Sequence, residues 1–241
     1  MNSVALITGA AKRVGRAIAL RLARAGYDIA FTYNRSGDEA QSLIDEVAKL
    51  GRRGVGISAD LTNLPGGTQT IAREFRGAFN RLDTLVNNAS IYQAADLSAT
   101  TLELTRRLWA IHVEAPILLC QEFAGMLKDS SGSIVNMVDL LAQRPWPQYL
   151  AYCASKAALG NLTLGLAREL APSVRVNGIA PGVVEWPPGF PEEQKEQYLR
   201  RVPLDRAGTP EDVAELVWFL SRPGSYITGQ IVPLDGGRSI T

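Results

Sequence analysis

The feature that most constrains how this chain can fold is an alternation of short apolar runs with longer stretches of helical period. Val4 to Ile7, Ile29 to Tyr33, Val55 to Ala59, Thr84 to Asn87, Ser133 to Val138 and Val174 to Ile179 are brief and almost wholly apolar. Such runs mark strands covered on both faces. Between them, apolar residues recur at three- and four-residue spacing, as in Ala17, Ile18, Leu20, Leu22 and Ala23, or Ile44, Val47 and Leu50. That period predicts crossover helices. A repeated strand-helix order favours parallel pairing with right-handed crossovers, which is a doubly wound α/β sheet with helices on both faces. The 241 residues are read as a single domain, 1–241, a length that one α/β unit commonly reaches. With 46% hydrophobic and 20% charged residues, the chain can bury a sizeable core without disulfides or metals.

Near the C-terminus, Thr209-Pro210-Glu211-Asp212 combines an N-cap, a proline at the first helical position and early acidic residues, predicting a last helix. Gln230 to Leu234 reads as a final strand, stopped by Asp235-Gly236-Gly237. Pro181, Pro187, Pro188 and Pro191 preclude a continuous helix over 181 to 193 and predict a substrate loop, at about 181–205, over the carboxyl ends of the strands. The 25 basic and 24 acidic residues leave a net charge of +1, so no nucleic-acid or anionic-membrane partner is expected. Cys120 and Cys153 stand apart with no His cluster, arguing against a metal site or disulfide framework and for a reducing compartment. No signal-peptide pattern and no apolar stretch of about 18 residues is present, so a cytoplasmic protein is expected.

The first strand runs into Thr8-Gly9-Ala10-Ala11-Lys12-Arg13-Val14-Gly15. Small residues there let the backbone approach a pyrophosphate, which free N–H groups and the helix N-terminus stabilise. At the end of the second strand, Tyr33-Asn34-Arg35-Ser36 lacks the acid that would bind an NAD ribose. Arg35, Ser36 and Arg13 instead offer charge-assisted or neutral hydrogen bonds to a 2′-phosphate, so NADPH is the expected cofactor. Arg35 as a solvated helix-start residue is the plainer alternative.

Tyr152 and Lys156 stand four apart in a stretch predicted to be helical, which puts both on one face. A phenol titrates near 10 and is a poor proton donor at neutral pH; a neighbouring ammonium lowers that value. Lys156 is therefore expected to activate Tyr152.

Together with Asn87-Asn88-Ala89 and Asn177-Gly178-Ile179-Ala180-Pro181-Gly182, these motifs resemble the short-chain dehydrogenase/reductase family, in order, at its spacing and over essentially the whole chain. The resemblance implies a Rossmann-like fold and catalysis by Tyr152 and Lys156. It implies cofactor contacts from Gly9, Arg13, Val14, Tyr33, Asn34, Arg35, Ser36, Asp60, Leu61, Asn88, Ala89, Ser90, Tyr152, Lys156, Pro181, Gly182 and Val184. It also implies a homotetramer with interfaces on the helices at about 100 to 128 and 149 to 170.

Three positions depart from the family pattern: Arg13 replaces its usual glycine, Asp139 its usual catalytic serine, and His112 its usual helical asparagine. With Asn136-Met137-Val138-Asp139 and Asn87-Asn88-Ala89-Ser90, the chain looks like the pteridine reductase branch, which includes dihydrofolate and dihydromonapterin reductases. That likeness implies a pterin or folate substrate touched by Arg13, Ser90, Tyr92, Asp139 and Tyr152, with Tyr92 stacking it, and Trp146 is a further substrate candidate by its place near the catalytic face. Reducing a C=N bond needs hydride at carbon and a proton at nitrogen, which a carboxylic acid can supply or relay. The Asp139 anion would raise the Tyr152 pKa, so the pair is expected to share a proton; otherwise Asp139 merely caps the loop after its strand. His112 is read either as a hydrogen-bonded structural residue or as a substitute in the proton relay to the lysine. Trp146, Tyr149 and Trp186 are candidates for a flat aromatic pocket. The alternatives are a carbonyl reductase such as a 3-oxoacyl thioester reductase and a non-catalytic NADP-binding regulator.

Overall fold

The structure, a computed structural model, describes residues 2–186 and 189–241. Pro187 and Pro188, two of the prolines in the expected substrate loop, lie outside the described residues. Seven parallel strands form one sheet in the order β3-β2-β1-β4-β5-β6-β7. They are β1 Val4–Ile7, β2 Asp28–Tyr33, β3 Gly54–Ser58, β4 Thr84–Asn87, β5 Ser133–Met137, β6 Arg175–Pro181 and β7 Ile231–Leu234. Because β1 pairs with β2 on one side and β4 on the other, the chain changes direction there. In such sheets a crevice opens beyond the carboxyl ends of the strands at that point.

The two-residue period of the strands divides the core. Ala5, Ile7, Ile29 and Phe31 face helices α1 (Arg13–Arg24), α2 (Gly37–Lys49) and, near the C-terminus, Pro210–Ser221. Their neighbours Val4, Leu6 and Ala30 face the opposite layer, α3 (Gly66–Ala78) with Leu119, Phe123 and Ala167. Every residue of β1 is buried, as a central strand sandwiched between helix layers must be.

On the second layer, α4 (Leu102–Trp109) passes through a π-helical turn, Ala110–Glu114, into α5 (Ala115–Asp129). Pro116 accounts for the distortion, since it has no N–H to offer the His112 carbonyl four residues back. The turn places His112 beneath the β4 end. Helix α6 (Leu150–Glu169) carries Tyr152, Cys153, Ser155 and Lys156 on its buried side.

The proline-rich stretch differs from expectation in two ways. Pro181 is the last residue of β6, and a short helix α7, Glu192–Leu199, begins directly after Pro191. A proline ahead of a helix needs no N–H donor, so Pro191 can precede one, and α7 falls within the expected substrate loop. The last helix, α8 (Pro210–Ser221), starts as predicted: Thr209 accepts from Asp212 N at 3.1 Å, and Thr209 N donates back to Asp212 Oδ2 at 2.9 Å. That reciprocal cap contributes about 1 kcal/mol. Among the described residues no helix is long and apolar enough to cross a membrane, and no acidic, Cys or His group could hold a metal ion.

Candidate active site

The turn after β1 is built by backbone proximity. Gly9 has φ +65°, and a Cβ there would meet Ala89 Cα at 3.0 Å; at Gly15 a Cβ would meet Gly9 O at 2.5 Å. Thr8 Oγ1 accepts from both Asn88 N and Ala89 N at 2.9 Å, joining the β1 and β4 ends. Asn88, expected among the cofactor contacts, directs its side-chain amide to Thr8 O at 2.8 Å and Gly9 O at 3.0 Å. It braces the turn. The start of α1 has no side-chain cap, which leaves its first N–H groups for an anion.

Beside this turn lies a cavity of about 710 Å³, walled by the expected Gly9, Tyr33, Asn34, Arg35, Ser36, Asp60, Leu61, Ala89 and Ser90. Its volume and its lining suit the adenosine part of a dinucleotide. Arg35 and Ser36 sit on the wall, and Ser36 makes no side-chain cap to α2, so its hydroxyl is available there. Asp60 is held below the usual carboxylate range by hydrogen bonds from Thr62, with smaller help from the Arg35 and Arg107 charges. Arg107 of α4 also lines the cavity; no local motif announces it, since it enters from an ordinary amphipathic helix. Val14, Tyr152, Lys156, Pro181, Gly182 and Val184 stand outside this lining.

Arg13 makes a contact the sequence did not announce. It holds φ +55°, a region glycine favours, and its Nε donates to Glu185 Oε2 at 2.7 Å. The guanidinium therefore joins the glycine-rich turn to the segment after β6.

The catalytic candidates converge. Tyr152 Oη donates to Asp139 Oδ2 at 2.6 Å, while Asp139 Oδ1 accepts from Leu141 N at 2.8 Å. Asp139 thus does both things expected of it, capping the turn at Leu140–Ala142 and meeting the tyrosine. Lys156 Nζ donates to Met137 O at 2.7 Å and lies 5.8 Å from the Tyr152 ring centroid. Tyr152 and Lys156 are buried, and Asp139 is half-buried.

Burial dominates their titration. It raises Asp139, against the hydrogen bonds from Tyr152 and Leu141 N and the Lys156 charge. It lowers Lys156 to about 8, against support from the Asp139 charge. Tyr152 is raised well above the ordinary phenol value by burial, then by the Asp139 charge and hydrogen bond, then by Tyr92, with Ser90 opposing. In the protein alone a desolvated phenol beside a carboxylate keeps its proton.

A second chain of hydrogen bonds runs beneath. Ser90 Oγ meets His112 Nε2 at 2.8 Å, His112 Nδ1 meets Ser155 Oγ at 2.8 Å, and Ser155 Oγ donates to Tyr152 O at 2.7 Å. Burial, aided by the Lys156 charge, lowers His112 to about 2, so the imidazole is neutral.

Aromatic rings border the mouth. Tyr92 stacks on Tyr149 at 4.6 Å and 17°, and meets Tyr152 edge-on at 5.0 Å. One face of Tyr92 is therefore already covered by protein. Trp146 and Trp186 both pack edge-on against Tyr198, at 5.9 and 5.5 Å. Tyr198 of α7 was not singled out from the sequence. Its polar helix carries no site-like pattern, yet its hydroxyl accepts from Val183 N at 3.1 Å and organises this cluster.

Residues 9–239 match a family model described as enoyl-(acyl carrier protein) reductase. A 3-oxoacyl-[acyl-carrier-protein] reductase of Staphylococcus epidermidis is 32% identical, covering 98% of this chain and 99% of its own. Pteridine reductase 1 of Leishmania tarentolae is 34% identical, covering 99% of this chain and 96% of its own. A blue fluorescent protein from a metagenomic library, solved in complex with NADPH, superposes with a TM-score of 0.92 at 34% identity, covering 98% of this chain and 97% of its own.

Proposed function

Because the chain belongs to the short-chain dehydrogenase/reductase family of nicotinamide-dependent oxidoreductases, we propose that it is an NADPH-dependent reductase of a C=N bond in a pterin-type ring. The observation that carries this reading is the 2.6 Å hydrogen bond from Tyr152 to Asp139, a buried acid pair where the family's pattern has a serine. When bound, NADPH supplies the hydride that reduces the ring carbon. The walls suit that cofactor: the start of α1 has no side-chain cap, which leaves its first N–H groups for a phosphate, and Arg35 and Ser36 line the cavity as donors for a second one.

The protein's own part is the proton. Tyr152 Oη holds it above the ordinary phenol range, and Asp139, raised by burial, shares it at 2.6 Å. As the ring nitrogen gains electron density, Oη gives up the shared proton to it, so that C=N becomes CH–NH, and the Tyr152–Asp139 pair, left one proton short, is reprotonated from solvent. Lys156, fixed by the Met137 carbonyl, places its ammonium beside the tyrosine ring and offsets negative charge on the pair as the proton leaves. Tyr149 and Trp146 border the mouth and exclude water from it.

The second reading, a 3-oxoacyl thioester reductase, is favoured by the curated relatives, in which staphylococcal 3-oxoacyl-[acyl-carrier-protein] reductases recur. NADPH oxidation measured with dihydrobiopterin, dihydrofolate and an acetoacetyl thioester, with Tyr152→Phe as control, separates the two. Turnover of the dihydropterin or dihydrofolate supports the pterin reading. Turnover of the thioester alone overturns it, and cofactor binding with no turnover of any of the three would point to a regulator.

A further inference from the structure

We infer that His112 is a positioning residue that takes the hydroxyl proton of Ser90, leaving the Ser90 oxygen as a pure acceptor that selects substrates presenting an N–H donor. The inference deepens the proposed pterin reading and, for its substrate half, rests on it.

The direction of each hydrogen bond follows from counting protons. Tyr152 O is a carbonyl and can only accept, so the single proton of Ser155 lies on the 2.7 Å line to it. Ser155 Oγ can then only accept from His112 Nδ1 at 2.8 Å, which puts the imidazole proton on Nδ1. Nε2 is left bare. It accepts from Ser90 Oγ at 2.8 Å, and the long contact from Ile91 N at 3.4 Å brings a second donor to the same atom. Both contacts at Nε2 agree with the assignment from the Nδ1 side. The doubly protonated ring is excluded by its surroundings: His112 is buried, its ring meets the edge of Tyr152 at 5.5 Å, and the Lys156 ammonium disfavours a second positive charge.

Ser90 stands on the cavity wall, and its lone pairs are what remain to face a ligand. It also lies beside the Tyr152 hydroxyl, but with its proton directed to Nε2 it cannot donate there. A ring N–H or amino group satisfies that oxygen. A carbonyl placed against it sets acceptor against acceptor, a mismatch that costs about tenfold in affinity or more when desolvated. His112, not Ser90 alone, therefore sets the sign of the contact, since a serine whose proton is free can turn to suit either partner.

His112 is the only histidine in the chain, so selective ¹⁵N-histidine labelling of the NADPH-loaded protein reports it without ambiguity. The expected spectrum has its proton on Nδ1 and does not titrate between about pH 5 and about pH 9. A proton on Nε2, or titration in that range, overturns the assignment without reference to any substrate. The second measurement compares binding of 2,4-diaminopteridine and of 1,3-dimethyl-2,4-dioxopteridine, which presents carbonyls and no N–H, to wild-type and His112→Phe protein, both loaded with NADPH. Wild type should prefer the amino compound by about tenfold, and the variant should bring the two within about threefold. An equal preference in both proteins overturns the role of His112. If neither ring binds wild type while the proton sits on Nδ1, the pterin reading fails together with the selection it supports, and the hydrogen-bond assignment alone survives. Should His112→Phe not fold, His112→Leu serves in its place, and the wild-type spectrum remains decisive for the tautomer.

Discussion

The two sides of the crevice are built by different means. Around the glycine-rich turn the contacts are backbone against backbone: Gly15 beside Gly9 O, Gly9 beside Ala89, and Thr8 bridging the ends of β1 and β4. On the opposite side, side chains meet from remote parts of the chain, Arg13 with Glu185 and Trp146 with Tyr198. A backbone cradle tolerates almost no added atom, whereas a side-chain cluster can exchange members and keep its shape. The first arrangement suits a ligand that never changes, and the second suits a substrate that distinguishes one relative from another. Altering each side in turn tests the contrast.

The largest effect is expected where the two sides meet. Tyr152→Phe removes the proton donor while keeping the ring that packs against Tyr92 and His112. Steady-state kcat should fall by roughly a hundredfold to ten-thousandfold, with NADPH affinity unchanged. Retention of more than a tenth of kcat would show that the proton comes from another group.

Next comes the cradle itself. An alanine Cβ at Gly15 would sit 2.5 Å from Gly9 O and 2.6 Å from Ala10 Cα, both backbone atoms with no easy retreat. Overpacking of this kind costs about 1–3 kcal/mol, so Gly15→Ala should weaken NADPH binding by about tenfold to a hundredfold in a fluorescence titration. Gly165→Ala is the control, because a Cβ there meets nothing within 4 Å. Equal affinities in the two variants would remove the distinction drawn between the sides.

Asp139→Ser should have a smaller effect, about tenfold on kcat near neutral pH, and a diagnostic one on its pH dependence. Asp139 is raised by burial, so its protonated form persists above the ordinary carboxylate range and is lost as pH rises through the raised value. Wild-type kcat should therefore decline along that alkaline limb. In the variant the limb set by Asp139 is lost with its carboxyl, and any alkaline decline that remains is set by Lys156 at a lower pH. The lysine should titrate below its value of about 8, having lost the supporting charge of Asp139. A kcat–pH profile with the same limb in both proteins would assign that proton elsewhere.

The backbone side was legible in the sequence because its information is local. Seven apolar runs gave seven strands, with boundary shifts such as Gln230 outside β7 and Val138 outside β5, and the Thr209 cap is read directly from four consecutive residues. Tyr152 and Lys156 belong to the same class, four apart on one helix. The substrate side was not legible to the same degree. Arg13 and Glu185 are separated by 172 positions, and His112 joins residues 22 and 43 positions away. No period or spacing encodes such meetings; they exist only once the sheet has brought the ends of β1, β4, β5 and β6 together. The one misjudged force was electrostatic. Four-residue spacing suggested an ammonium acting on a phenol, but in the folded site burial and the Asp139 charge hold the phenol up, and the burial of Tyr152 is not visible until the helix packs.

Arg13 is the residue that crosses the divide, and its partner offers the finest test. The pair with Glu185 is exposed, at 58% and 38% of the side-chain surfaces, so solvent screening limits it to about 0–1 kcal/mol. Glu185→Gln should therefore leave the fold intact, with a melting shift of at most about 2–4 °C. If Arg13 belongs with the cofactor, releasing it frees a guanidinium for an anionic phosphate. NADPH should then bind up to about fivefold more tightly to the variant at low ionic strength, and the gain should fade as salt is added because both contacts lie near the surface. An unchanged NADPH affinity accompanied by a shifted substrate KM would instead place Arg13 with the substrate side, leaving the cradle made of backbone alone.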